Sequence, residues 1–505
     1  MKDWTAAGNR ANSRARWQGG EADLRDFRPV VFVNGILLMV LAAAMAVPAL
    51  VDFLSDDLDW RVFAVAGLVT LFAGLGMVLG ARPEGRPSLD TRQAFLLTTS
   101  SWVAMTAFGA LPFAFSALDM NYTDAVFEAA SGITTTGATV MLGLDSAPKG
   151  ILLWRALLNW LGGMGIVVLA VAILPILRIG GMQLFKMESS DKTDKVAPRV
   201  SQVVWSIAAV YVGFTAVSAL GLWLSGMGTF DAVCHAFAAL ATGGFSTSDA
   251  SLGKWGPATQ WVTIGAMVLG GSSFTLFVAP WRRGAWPFLH DSQMRWYLHF
   301  LIFFSLLLTL WQWAVNDMPP GEALRHATFT VVSVVTCTGF ASTDYNAWGG
   351  FAQAVVFILL FIGGCTGSTA GAIKIFRWEV LFKMAGVHLH RLLYPHGVFA
   401  VDFNRRRISD AVVDSVLGFV VMYFLAFAAF VLALTVAGMD FVSALTSSAA
   451  SLGNAGPGLG EIVGPAGTYK SVPDAAKWLL CAEMILGRLE LFTVLVLFSR
   501  SFWRG

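Results

Sequence analysis

The residues best placed to do chemistry are glycines and hydroxyls rather than acids, bases or nucleophiles. Ser131-Gly-Ile-Thr-Thr-Thr-Gly-Ala-Thr139 lies between two long apolar runs. Three kindred stretches follow at intervals of about one hundred residues: Ala241-Thr-Gly-Gly-Phe-Ser246, Thr336-Cys-Thr-Gly-Phe340 and Asn454-Ala-Gly-Pro457. Glycine lets a loop turn its carbonyls inward because it has no side chain to clash. A ring of such carbonyls can replace the water shell of a monovalent cation. The chemistry on offer is therefore ion coordination, by Thr135, Thr136 and Gly137, by Thr242, Gly243 and Gly244, by Cys337, Thr338 and Gly339, and by Asn454, Ala455 and Gly456. No His-Glu-x-x-His, no Gly-x-Ser-x-Gly and no pair of aspartates inside an apolar run is present, so no enzyme is expected.

The four stretches are in register. Phe127 lies ten residues before Gly137 and Phe329 ten before Gly339, while Ser131 and Ser333 lie six before. The second stretch aligns through Gly244-Phe245, which matches Gly339-Phe340 and sets His235 opposite Glu128. A second marker follows each: Gly162-Gly163, Gly270-Gly271 and Gly363-Gly364 begin 25, 26 and 24 residues on, and Gly487 lies 31 beyond Gly456. Internal repetition of this length marks a pore or transporter assembled from like modules.

The elements that position these loops must be membrane helices. The chain has 505 residues, 56% hydrophobic and 13% charged, with apolar runs of spanning length. With ten helices and a cytoplasmic N-terminus, the inside segments hold 26 Lys and Arg and the outside seven, the asymmetry that orients membrane proteins. The polar, basic first 28 residues precede a first apolar run long enough to act as an anchor. Its four cysteines show neither disulfide nor metal-pair spacing. The expected fold is an all-α polytopic membrane protein: an N-terminal helix pair, then four helix/pore-loop/helix repeats in quasi-fourfold arrangement. The expected divisions are a tail at 1–29, the helix pair at 30–90, and repeats at 91–195, 196–290, 291–400 and 401–505.

Non-helical backbone at membrane depth must line water or be buried in protein. The segments Asp124 to Ile133 and Asp231 to Leu240 are about ten residues long and open on Asp, so they read as half-membrane helices with Asp as N-cap. Entering from outside, they aim their partially negative C-terminal ends at the pore centre, where that field favours a cation.

Together with Asn159-Trp-Leu-Gly-Gly-Met-Gly165, Gly180-Gly-Met-Gln-Leu-Phe185, Phe361-Ile-Gly-Gly-Cys-Thr-Gly-Ser-Thr369 and Gly487-Arg-Leu-Glu-Leu-Phe492, the loops make the chain resemble, over essentially its full length, the Trk/Ktr/HKT superfamily of potassium transporters. The bacterial TrkH potassium-uptake branch is the nearest match. The resemblance implies K+ as the transported ion, a bacterial inner membrane, a homodimer with one pore per subunit, and a TrkA-like cytoplasmic nucleotide-binding regulatory ring, so that this chain itself binds no nucleotide. Membrane lipid is the only other partner expected, and no nucleic acid. A glycine in all four loops accompanies potassium preference in that superfamily. Cys337 and Ala455 depart from the Thr135 and Thr136 of the first loop, which leaves hydroxyls out of the ring and points to modest discrimination against Na+. A K+/H+ or K+/Na+ symporter using the same pore is the alternative.

Two further features bear on passage. Gly363, Gly364, Cys365, Thr366, Gly367, Ser368, Thr369, Gly371 and Lys374 make a segment in which a regular helix is not expected to continue. The resemblance implies a gating loop across the pore. Arg488 is the one basic residue inside an apolar run; such a charge faces a cavity or a partner, and an electrostatic barrier to cations is the expected role. Glu128 is expected either to attract cations at the outer mouth or to cap backbone groups. The inside segment Lys374 to Arg407, with His388, His390 and His396, reads as a solvated linker on which the regulatory ring would dock.

Overall fold

The computed structural model describes residues 27–82, 89–118, 120–172, 200–278, 290–404 and 406–504. Residues 1–26 of the basic tail and the Gly180–Phe185 motif lie outside the described residues. Helices α1 (Arg28–Leu54) and α2 (Trp60–Gly80) form the N-terminal pair. Gly35 and Gly74 face one another so closely that a Cβ on either would sit 2.7–2.8 Å from the other's carbonyl oxygen, the small-residue contact that lets membrane helices approach. The pair is pinned to the rest by Asp52, which accepts a 2.5 Å hydrogen bond from the Gly150 N–H.

Four units of helix, half-helix, loop and helix follow. The first comprises α3 (Thr91–Gly109), α4 (Tyr122–Ile133) and α5 (Lys149–Ala172). The second has α6 (Val200–Leu224), α7 (Thr229–Leu240) and α8 (Pro257–Gly271). The third has α9 (Ser292–Val315), α10 (Pro320–Val335) and α11 (Gly350–Leu359). Helix α12 (Ile375–Leu393) leads to the fourth, α13 (Asp410–Val436), α14 (Phe441–Gly453) and α15 (Asp474–Arg488). The half-helices sit at the centre, where Ala129, Ala130, Ala238, Ala239, Ala449 and Ala450 are all fully buried. Short side chains there let four helix ends converge.

Seven helices among the described residues are long and apolar enough to cross a membrane. The other three of the ten expected spans, α8, α11 and α15, have 15, 10 and 15 residues because each is interrupted partway. Only the break in the third unit was legible as a glycine cluster. The break after α8 falls at Ser272-Ser273, where the Phe274 N–H turns to the Gly367 carbonyl at 3.0 Å. That after α15 falls at Glu490 and Leu491, with φ of 61° and 40°.

Two expectations need correction. Asp does not cap α4 or α7: their N-caps are Asn121 and Gly228, and Asp124 and Asp231 lie inside the first turn. Asn121 accepts from the Asp124 N–H at 2.7 Å, which frees the Asp124 carboxylate for other contacts. Nor is 374–407 merely a solvated linker. Its first half is α12, and strands β1 (Asp402–Phe403) and β2 (Arg406–Arg407) form a small antiparallel hairpin. Phe403, Ile408 and Val412 pack with Phe376 and Val380, while Lys383 donates to the Asp402 carbonyl at 2.8 Å. The three histidines belong to no group that could hold a metal among the described residues.

Candidate functional site

All four half-helices end in the same way. The N–H groups of Thr136, Gly243, Thr338 and Ala455 each donate at 2.8 Å to the carbonyl five residues back, Ser131, Ala238, Ser333 and Ala450. Thr135, Thr242, Cys337 and Asn454 donate to the carbonyl three back, at 2.9–3.1 Å. These are Schellman caps, whose turning residue is left-handed and usually glycine. Here none of the four is glycine, yet φ is 53°, 51°, 57° and 53°, at roughly 1–2 kcal/mol each for Thr135, Thr242 and Cys337, while Asn454 is of a type that takes this conformation more readily. Strain of this kind is held only where surroundings over-determine the backbone. Two residues further on, Gly137, Gly244, Gly339 and Gly456 have φ of 84°, 74°, 82° and 81°.

These glycines close a circuit. A Cβ on Gly137 would lie 2.5 Å from the Gly243 carbonyl oxygen, one on Gly244 would collide with that of Thr338, one on Gly339 would lie 2.5 Å from that of Ala455, and one on Gly456 would lie 2.6 Å from that of Thr136. Each loop thus presses a bare Cα against a carbonyl of the next in chain order, and the fourth returns to the first. Asn454 adds a 3.0 Å hydrogen bond from Nδ2 to Thr136 Oγ1. A cavity of about 130 Å³ opens on the ring, lined by Gly137, Gly244, Gly339 and Pro457 together with the loops that lead back to the surface.

Ion pairs, two of them buried on both sides, tie these loops to the scaffold. Glu128 and Arg155 pair at 2.7 Å and are both buried. Arg155 also donates to the Ser246 carbonyl at 2.7 Å and to Thr139 Oγ1 at 3.1 Å, and its guanidinium lies 4.1 Å over the Phe245 ring. Glu128 accepts from the Val140 N–H at 3.0 Å. Of the two roles expected for Glu128, its contacts match the cap. At the corresponding place His235 hydrogen-bonds with Ser246 Oγ at 3.0 Å and with the Asp231 carbonyl at 2.8 Å. Asp124 receives Lys470 and Lys477, each at 2.7 Å, binding the first half-helix to the fourth unit. In sequence, Arg155, Lys470 and Lys477 are only charges on one side of the membrane; their partners are 27 to 353 residues away.

The break after α11 folds back on itself. Gly363 N–H donates to the Ile373 carbonyl at 2.9 Å and Ile375 N–H to that of Gly364 at 3.1 Å. Its tip is held by the second unit: Cys365 N–H bonds the Gly271 carbonyl at 2.8 Å, and Thr369 Oγ1 bonds the carbonyls of Leu240 and Gly270 at 3.0 and 2.9 Å. Thr242 Oγ1, from the turning residue of the second loop, donates to Thr369 Oγ1 at 3.1 Å. Thr366 N–H bonds Gln293 Oε1 at 2.8 Å, and Ser368 Oγ returns to the Cys365 carbonyl. Gly367 has a φ of 77°, and Gly371 packs against Gly453 and Asn454 with no room for a side chain.

Two buried cations grip this segment. Arg488 Nη1 donates to the Thr369 carbonyl at 2.7 Å and Nη2 reaches the Gly162 carbonyl at 3.5 Å. Lys374 Nζ donates to the Ala370 carbonyl. Neither forms an ion pair among the described residues, since Glu490 pairs with Arg377 at 2.5 Å and Glu483 accepts from Ser448 Oγ at 2.5 Å. Arg377 also lies 3.6 Å over the Phe419 ring.

The chain matches the family model TrkH, described as a cation transport protein, over residues 62–504. It is 42% identical over 484 residues to the Trk system potassium uptake protein TrkI of Halomonas elongata, covering 95% of this chain and 98% of the relative. The Trk system potassium uptake protein TrkH of Escherichia coli K12 is 38% identical over 484 residues, covering 95% and 99%. The crystal structure of the potassium transporter TrkH from Vibrio parahaemolyticus superposes with a TM-score of 0.87 at 36% identity, covering 95% of this chain and all of that one.

Proposed function

The chain belongs to the TrkH family of cation transport proteins, and from that premise we propose that it takes up potassium through one pore ringed by its four glycine loops. The observation that carries this reading is the closed circuit of Gly137, Gly244, Gly339 and Gly456 against the carbonyls of Gly243, Thr338, Ala455 and Thr136. Four loops in mutual contact give carbonyl oxygens a common centre, and the half-helices behind them aim their negative ends at it. A potassium ion that sheds its water there is compensated by backbone oxygens, so replacing Cys337 or Ala455 side chains by hydroxyls matters less than keeping the backbone in place.

In this reading 363–374 is the gate. It joins the second, third and fourth units beneath the ring, and Arg488 holds it while placing a positive charge on the ion's path. Opening requires release of the Arg488 and Thr242 contacts to Thr369. The N-terminus is cytoplasmic in a bacterial inner membrane, two copies form a dimer, and a nucleotide-binding ring of the TrkA kind docks near α12 and its hairpin. Ions run inward with the membrane potential.

The test is bi-ionic flux in liposomes containing the purified protein. A reversal potential that follows the K+ gradient and ignores pH and Na+ gradients supports the reading. One that moves with either gradient replaces it by the symporter, and normal K+ passage with all four glycines substituted removes the pore itself.

A further inference from the structure

The second position of each loop is Thr136, Gly243, Thr338 or Ala455. In two loops it carries a working hydroxyl: Thr136 Oγ1 hydrogen-bonds with Thr134 Oγ1 at 2.7 Å and Thr338 Oγ1 with Thr336 Oγ1 at 2.7 Å. Gly243 has no side chain, and its backbone does not require a glycine, because its φ is not in the left-handed region. Space is what requires it. A Cβ there would collide with Asn159 Cγ and lie 2.6 Å from Asn159 Nδ2 and 2.8 Å from Asn159 Cβ.

Asn159 comes from α5, in the preceding unit. It is fully buried, and neither its Nδ2 nor its Oδ1 has a hydrogen-bond partner among the described residues. A buried amide left without partners costs about 1–3 kcal/mol, so this side chain is not kept to stabilise α5. The residues at the same place before the glycine markers of the other units, three before Gly270, Gly363 and Gly487, are Met267, Leu360 and Met484. The one unit with an amide there faces the one loop with glycine at its second position.

We propose that Asn159 is a positioning residue for ion discrimination, supplying from the neighbouring unit the polar side chain that the second loop lacks and setting the place of the Gly243 carbonyl. That carbonyl is the one pressed against Gly137, so its position bears on the aperture of the whole ring. This rests on the potassium reading above.

The experiment measures K+/Na+ flux ratios and thermal stability in liposomes and detergent for wild type, Asn159→Ala, Asn159→Leu, Gly243→Thr and the double variant Asn159→Ala with Gly243→Thr. Each Asn159 single variant is expected to lower the ratio about tenfold, equivalent to about 1.4 kcal/mol, while K+ still passes. Gly243→Thr alone is expected to disturb the ring by collision. The double variant, which puts a hydroxyl at the place held by Thr136 and Thr338, with Ala241 rather than a threonine two residues before it, is expected to recover the ratio to within about threefold, under 1 kcal/mol. A single variant that fails to fold while the double folds and discriminates supports the exchange. Unchanged ratios in both Asn159 variants, a double variant no better than the singles, or failure of all of them to fold would overturn it. A selective wild type with unaltered variants removes this proposal alone; a wild type without potassium preference removes the reading beneath it as well.

Discussion

Gly456→Ala separates the contact within the ring from the strain of its backbone. At φ 81° an alanine costs roughly 1–2 kcal/mol through its own Cβ. The new Cβ would also lie 2.6 Å from the Thr136 oxygen, and Cβ contacts below 3.0 Å essentially do not occur. The carbonyl must therefore retreat by roughly 0.4–0.8 Å to reach 3.0–3.4 Å, and displacements approaching 1 Å at a coordinating group change rates by up to ~10²-fold. Gly438→Ala is the control, because Gly438 has φ 98°, is exposed, and has only Pro473 Cγ at 3.8 Å. Both variants are expected to lose similar stability in thermal melts. Only Gly456→Ala is expected to lower the K+/Na+ flux ratio, by about tenfold to a hundredfold. Equal flux ratios in the two variants would refute the argument that the ring contact, rather than glycine's flexibility, sets the coordination.

Arg488→Ala, which releases the Thr369 carbonyl, is expected to raise K+ flux severalfold in single-turnover liposome uptake without changing selectivity; unchanged flux would count against the gate. Glu128→Gln breaks a buried pair with Arg155 and is expected to cost about 3–5 kcal/mol, read as a lower melting temperature and reduced yield, with selectivity intact in whatever protein folds. Arg377 and Glu490 join the helix after the proposed gate to the fourth unit, so a double-mutant cycle on flux is expected to give coupling of about 1 kcal/mol or more. The exposed Lys254 beside Asp145 holds that carboxyl below its usual range. Its small stabilisation is present at neutral pH and is lost as pH falls through that lowered value, so Asp145→Asn is expected to flatten an already weak acid-side dependence of the melting temperature.

Much of the architecture was legible because it is periodic. Apolar runs of spanning length and four glycine loops in common register require no knowledge of distant partners, and Phe127, Phe329, Ser131 and Ser333 could be aligned by counting. What counting does not reach is contact between units. Arg155 looks like an outside charge until it meets Glu128 and the Ser246 carbonyl, and Arg377 is one of many cations on the inside until Glu490 arrives from 113 residues away. The same holds for Asn159: its motif was visible, but the collision with Gly243 exists only in three dimensions. The breaks after α8 and α15 were missed for another reason. Gly270-Gly271-Ser272-Ser273 combines weak helix formers, but the equivalent pair Gly162-Gly163 stays helical in α5, and Glu490-Leu491 carries none at all; the backbone leaves the helix at these places where Phe274 meets Gly367 and Glu490 meets Arg377.

The segment 363–374 comes from one unit of the four; among the described residues the second and fourth break differently, and α5 of the first runs unbroken to Ala172. A passage closed by a single leaf hinged on one jamb needs no agreement among its quarters. Under the proposed gate, each pore would therefore open in one step, with no intermediate levels of current and no cooperativity within the ring. Any steepness in the response to a ligand would then have to come from outside the single pore, in the proposed second copy or the proposed regulatory ring.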